Sequence, residues 1–157
     1  MKIKNLIEED FTNYKVCSMF IGFPSCTFKC EKECGKCLCQ NSFLTQAPSI
    51  EISSKKIVDK YMSNPLSVAL VCGGLEPFDS YTDLLDLLRV FRENTDDDFV
   101  IYTGYTEEEL KHEIFQLSCF KNVVIKFGRF IPDQQPHYDS VLGVSLASNN
   151  QFAKRIS

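Results

Sequence analysis

Apolar residues in this chain fall into short unbroken runs separated by stretches of helical spacing. Residues 16–23 (VCSMFIGF), 67–74 (SVALVCGG), 98–104 (DFVIYTG), 122–128 (NVVIKFG) and 140–146 (SVLGVSL) each have the length and continuity of a buried strand. Between them, residues 53–64 place Ile57, Val58 and Tyr61 on one helical face, with Ser53 or Ser54 available as a cap. Residues 80–94 repeat Leu84, Leu87, Leu88 and Phe91 at helical spacing, with Ser80 and Asp83 as a capping pair. Residues 106–117 open on a Thr106–Glu109 capping box and an acidic first turn. Continuous apolar strands alternating with helices predict an α/β fold with a mostly parallel sheet and flanking helices. No linker or repeat interrupts the pattern, so residues 1–157 are expected to form a single domain.

In such a sheet, ligands collect at the carboxyl ends of the strands. Gly73-Gly74, Thr103-Gly104 and Gly128 all fall at predicted strand ends, and so does the segment after the first strand, SCTFKCEKECGKCLCQN. That segment holds Cys26, Cys30, Cys34, Cys37 and Cys39, five of the eight cysteines in the chain, interleaved with lysines and glutamates. Structural cysteines are small buried hydrophobes and occur singly; a dense, charged cysteine run is a ligand loop. Cys17 and Cys72 sit in strands and read as core, and Cys119 reads as a structural residue near a helix end. His112 and His137 carry no ligand pattern.

A net charge of -4 with no basic run argues against nucleic-acid binding. No apolar stretch is long enough to span a bilayer. The opening MKIKNLIEEDF turns acidic where the apolar part of a secretory signal would begin, so the expectation is a cytoplasmic protein with reduced thiols. Clustered cysteines there bind metal or do redox chemistry. Cys34 and Cys37, paired with Cys26 and Cys30, would suit a structural zinc ion, and the same segment would suit an iron–sulfur cluster. The reactive rim and the VCGG strand end, where backbone can approach a ligand closely, favour iron.

The order of these features resembles the radical S-adenosylmethionine (SAM) enzymes, and most closely the activating enzymes of anaerobic ribonucleoside-triphosphate reductase. The likeness runs through DFTN, CSMFIGFPSCTFKC, CQN, VCGGLEPF, VIYTGY and GVSLASNNQFAKRI, in that order along nearly the whole chain. Two features depart from the family pattern: residues 31–38 (EKECGKCL) are inserted in the cluster loop of about residues 24–41, and Leu75 separates Gly74 from Glu76. Read by context, the resemblance assigns a [4Fe–4S] cluster to Cys26, Cys30 and Cys39. Read by literal spacing it would use Cys30, Cys34 and Cys37. It also implies a partial, TIM-like half barrel, with SAM bound by Gly73, Gly74, Glu76, Thr103, Gly104, Ser145 and Asn149. The implied activity is formation of a 5′-deoxyadenosyl radical that installs a glycyl radical on a partner, with flavodoxin or ferredoxin as electron donor. The sheet, helices and cluster loop leave no residues for a separate substrate domain, which also points to a large partner. The competing expectations are a zinc-stabilised interaction module and an electron-transfer iron–sulfur protein without SAM chemistry.

Overall fold

The computed structural model describes residues 1–35 and 39–157, with the backbone alone for Glu33 and Cys34. The chain opens with β1 (Lys2–Ile3) and β2 (Asn5–Asp10), then β3 (Ser18–Phe23). The cysteine segment carries two short helices, α1 (Lys29–Cys34) and α2 (Phe43–Gln46), and leads through β4 (Ile50–Glu51) into α3 (Ser54–Ser63). There follow β5 (Ala69–Gly74), a 3-10 turn (Pro77–Ser80), α4 (Tyr81–Arg92), β6 (Asp98–Tyr102), α5 (Lys111–Leu117) and β7 (Val123–Phe127). The chain ends in β8 (His137–Asp139), β9 (Val144–Leu146) and β10 (Phe152–Arg155).

The central sheet has the order β10-β7-β6-β5-β3-β2. Its four inner strands are parallel, and both edge strands run antiparallel to their neighbours. The inner strands are mostly apolar because both faces are covered. On one face Met19, Ile21, Leu70, Cys72, Phe99, Ile101, Val123 and Ile125 pack with Ile57 and Tyr61 of α3, Leu84, Leu88 and Phe91 of α4 and Leu117 of α5. On the other, Phe20, Val71, Val100, Tyr102 and Val124 meet Tyr14, Leu142, Val144 and Leu146. Helices cover the first face, whereas the second is roofed by the loop before β3 and the β8–β9 hairpin.

Four expectations change. The run 140–146 supplies only β9, which pairs with β8 in a separate two-stranded sheet and does not join the central one. Asp139 explains the interruption: its Oδ1 accepts the Val141 and Leu142 N–H bonds at 3.0 and 2.9 Å, holding those residues in a turn. The edge strands β2 and β10 carry too many polar residues to stand out as buried runs, since each has a neighbour on one side only. Ser80 makes no capping bond; its hydroxyl pairs with Ser25 Oγ at 2.9 Å and ties the cysteine loop to the 3-10 turn. The Thr106–Glu109 box forms, with Thr106 N–H donating to Glu109 Oε2 at 2.9 Å, but it closes a turn ahead of α5. Ser53 does cap α3, accepting from Lys56 N–H at 3.2 Å.

Candidate iron–sulfur and ligand site

Parallel strands β3, β5, β6 and β7 end at Phe23, Gly74, Tyr102 and Phe127. Their exits form one rim, where a cavity of about 490 Å³ opens on the helix-free side of the sheet. That volume suits a ligand of drug or cofactor size. Cys26, Cys30 and Cys39 all line it, together with Gly73, Gly74, Glu76, Thr103, Gly104 and Ser145. Asn149 lies outside the lining, and Gln151 takes the corresponding place: its Oε1 accepts from Ala147 and Ser148 N–H, and its Nε2 donates to Gly128 O at 3.3 Å. Cys37 lies outside the described residues, as does the Cys34 side chain.

The cysteine loop is held to the strand ends by a set of short bonds. Glu76 N–H donates to Ser25 O at 2.8 Å. Asp79 accepts Thr27 N–H through Oδ2 and the Tyr105 hydroxyl through Oδ1, both at 2.6 Å, so one carboxylate joins the exits of β3, β5 and β6. Cys39 N–H donates to Glu31 Oε1 at 3.0 Å, and Asn41 Nδ2 donates to Gly74 O at 2.8 Å. Phe28 adopts a left-handed conformation (φ 53°) that turns its N–H onto Cys26 Sγ at 3.2 Å. Outside the loop, Arg129 forks onto both Glu109 oxygens at 2.9 and 2.6 Å, holding that carboxyl down at about 2. Lys29 completes the clasp, 4.2 Å from the centre of the Tyr105 ring and 3.5 Å from Glu109.

Burial pushes the Cys26 thiol up to about 11 and raises Cys30 as well, with the nearby Cys39 adding to the second shift. Three half-buried thiols thus share one cavity wall, and the Cys26 sulfur accepts the Phe28 N–H bond. Among the described residues, no three His, Cys, Asp or Glu side chains come together as a cage for a single metal ion. A cubane cluster spreads its thiolates more widely than a tetrahedral ion does, and the donor set fits it.

Glu76 is the second feature of the site. It is 8 % exposed, and its Oε1 accepts from Phe78 N–H (3.2 Å) and the Thr103 hydroxyl (2.7 Å) while Oε2 accepts from Gly104 N–H (2.9 Å). The Thr103 hydroxyl also accepts Tyr105 N–H at 3.0 Å, so this side chain is committed to the strand-end network. Burial drives Glu76 up to about 7 against the pull of those donors. A carboxyl raised on folding binds its proton in the folded state first. Stability therefore falls as pH rises from about 4.5 to about 7, by about 3 kcal/mol in all. Urea midpoints of the wild type and Glu76→Gln, compared at pH 5 and 8, are expected to show a smaller pH-dependent loss in the variant.

Sequence reasoning passed over Lys126, which lines the cavity. It is 7 % exposed, and its ammonium donates to Gly128 O at 2.8 Å and Thr103 O at 3.5 Å. Burial lowers it to about 8, with Glu76 opposing that shift. The available signal was a lone charge inside an apolar strand. Phe20 and Tyr102 were equally hidden; their rings and side chains flank Gly73, and the Tyr102 hydroxyl donates to Asn13 O at 2.5 Å. Cys72 is fully buried on the helix-covered face as expected, whereas Cys17 is half-buried just ahead of β3 and outside the core, and Cys119 is exposed in place of the structural position expected of it.

The family of 4Fe-4S single cluster domains matches residues 15–151. No curated protein and no solved structure matches the chain. Among the described residues, no helix is long and apolar enough to cross a membrane.

Proposed function

From a chain that belongs to the family of 4Fe-4S single cluster domains, we propose a radical SAM activating enzyme that installs a glycyl radical on a partner, anaerobic ribonucleoside-triphosphate reductase being the leading candidate. One observation carries this reading: Cys26, Cys30 and Cys39 open into the same cavity as the Gly73-Gly74 strand end. An electron-transfer protein needs a cluster but no neighbouring ligand cavity. Four inner strands in the order β3-β5-β6-β7, with helices on one face, are also what a partial barrel of the radical SAM type would use.

In this reading Cys26, Cys30 and Cys39 would hold a [4Fe–4S] cluster, which, supplied with an electron by a flavodoxin or ferredoxin, would provide the reductive cleavage of SAM to methionine and the 5′-deoxyadenosyl radical needed to take a hydrogen atom from a partner glycine. The chain's own residues position and shield. Gly73 and Gly74 present backbone without side chains to the methionine moiety. Glu76 fixes the Gly104 N–H and Thr103 in place, so those two residues shape the wall through the network and not through a free hydroxyl. The Lys126 ammonium adds a cationic group to the cavity lining. Ser145, exposed on β9, lines the opposite wall, and exposed Phe43 stands at the cavity edge where a partner can close it.

The test is anaerobic. After reconstitution with iron and sulfide and reduction, the electron paramagnetic resonance spectrum is expected to change on adding SAM, with 5′-deoxyadenosine and methionine formed in the same tube. A reduced cluster indifferent to SAM would assign the protein to electron transfer, and a colourless zinc protein would remove the cluster reading.

A further inference from the structure

One short turn grips the neighbours of Cys26 on both sides. The 3-10 turn Pro77–Ser80 follows β5 and begins directly after its cap, Glu76. Ahead of Cys26, Ser25 O accepts the Glu76 N–H at 2.8 Å and the Ser25 hydroxyl meets Ser80 Oγ at 2.9 Å. Behind it, Asp79 Oδ2 accepts the Thr27 N–H at 2.6 Å. The other carboxylate oxygen of Asp79 is braced by the Tyr105 hydroxyl, also at 2.6 Å. The next residue, Phe28, has φ 53° and ψ 41°, a left-handed conformation that is unfavourable for any residue with a Cβ. Such strain persists only where the surroundings over-determine it, and it collects at functional sites. Here it turns the Phe28 N–H back onto Cys26 Sγ at 3.2 Å. That bond favours the thiolate, against the burial that raises the Cys26 thiol.

We infer that Asp79 is a positioning residue for the iron–sulfur cluster: by holding the Thr27 N–H, it keeps the Phe28 N–H on the Cys26 sulfur and so makes the bound cluster easier to reduce. The inference rests on Cys26 being a cluster ligand, as in the reading above, and needs nothing from its SAM chemistry. On one-electron reduction the cluster gains one negative charge, part of which falls on its ligand sulfurs. An N–H donor on such a sulfur stabilises the reduced form more than the oxidised one and raises the reduction potential. The sulfur accepts in both forms, so the effect is a fraction of a full hydrogen bond to a charged group. The Asp79 carboxylate also acts through its charge, which is felt at Cys26 and disfavours further negative charge there. These two effects are opposed, and uncharged side chains of similar shape separate them. In Asp79→Asn the amide accepts from Thr27 through Oδ1 and donates to the Tyr105 oxygen through Nδ2, whereas Asp79→Leu offers neither bond.

The experiment is an anaerobic redox titration of the reconstituted full chain, with dithionite as reductant and mediator dyes. The reduced cluster is followed by its electron paramagnetic resonance signal, and iron and sulfide are counted for each variant. The reduction constant of Asp79→Leu is expected to lie about 3- to 30-fold below that of Asp79→Asn, or about 30–90 mV at about 59 mV per factor of ten. In protein isotopically labelled at phenylalanine nitrogen, pulsed double-resonance spectra of the wild type and Asp79→Asn are expected to show a nitrogen coupled to the reduced cluster. Asp79→Leu is expected to lose that coupling. Equal reduction constants in the two neutral variants, or an Asp79→Leu cluster that is easier to reduce, would overturn the inference. So would a wild-type spectrum without the phenylalanine coupling, which keeps the test in force should Asp79→Leu fail to load. Failure of the unaltered chain to load a cluster, or full retention of iron by Cys26→Ala, is a separate result. It removes the cluster assignment at Cys26, and this inference falls with it.

Discussion

Alanine at Cys26, Cys30 or Cys39 is expected to abolish stable loading of a [4Fe–4S] cluster, each substitution alone reducing bound iron and sulfide and the brown absorption to background. The three thiols line one cavity wall, and Cys39 is close enough to Cys30 to raise its pKa. Their backbone is fixed by the Ser25–Glu76, Thr27–Asp79 and Asn41–Gly74 bonds to the strand ends and by the Cys39–Glu31 bond within the loop. Removing one thiolate from a three-cysteine site leaves two, too few to hold the cluster. Cys34→Ala and Cys37→Ala are expected to keep their iron, as is Cys119→Ala on the far surface. Iron and sulfide analysis of the reconstituted variants separates the two ligand readings directly. If Cys34→Ala and Cys37→Ala lose iron while Cys26→Ala and Cys39→Ala retain it, the literal spacing Cys30, Cys34, Cys37 is the ligand set.

Two adjacent glycines are expected to fail in opposite ways. Gly74 has φ +79°, and a Cβ there would come within 2.9 Å of Gly22 Cα and 3.3 Å of Leu44 Cδ1. Gly74→Val combines a β-branched residue in left-handed backbone with pressure on β3, costing about 2–5 kcal/mol. It also disturbs the carbonyl that receives Asn41, so cluster loading falls with stability. Gly73 is different. A Cβ there meets Phe20 Cε2 at 3.1 Å and Tyr102 Cβ at 3.4 Å, contacts that a small ring movement relieves, and further side-chain atoms enter the cavity. Gly73→Val is expected to fold with a loss of about 1–2 kcal/mol, load its cluster, and bind SAM at least about 100-fold more weakly, because its methyl groups occupy the space of the ligand. Chemical denaturation and SAM dialysis on the two variants distinguish a fold position from a ligand position. Equal stability losses would mean that Gly73, too, is held by packing.

Much of this site was legible in local sequence. Runs such as ALVCGG, and VVIKF apart from Lys126, are apolar because their strands lie between two covered faces, and that burial needs no partner to be read. The helix of Leu84, Leu87, Leu88 and Phe91 is equally local, since 3.6-residue periodicity is a property of neighbouring positions. Cysteine density marked the ligand loop, and strand-end glycines marked the rim. What the chain alone did not decide is which residues stand side by side. Cys39 joins Cys26 and Cys30 at the cavity across eight intervening residues because Glu31 and Gly74 hold that end of the loop down. Asn5 reaches the cavity through its pairing with Gly22, 17 positions away, and Lys126 reaches it through its place beside Tyr102. Ser140 and its neighbours left the central sheet because Asp139 bonds their backbone first. Periodicity is a short-range signal, whereas strand order and register come from pairings between residues far apart. Composition and spacing thus determined that this protein has a cysteine ligand loop on an α/β rim, and the tertiary structure decided which side chains share the cavity that the loop faces.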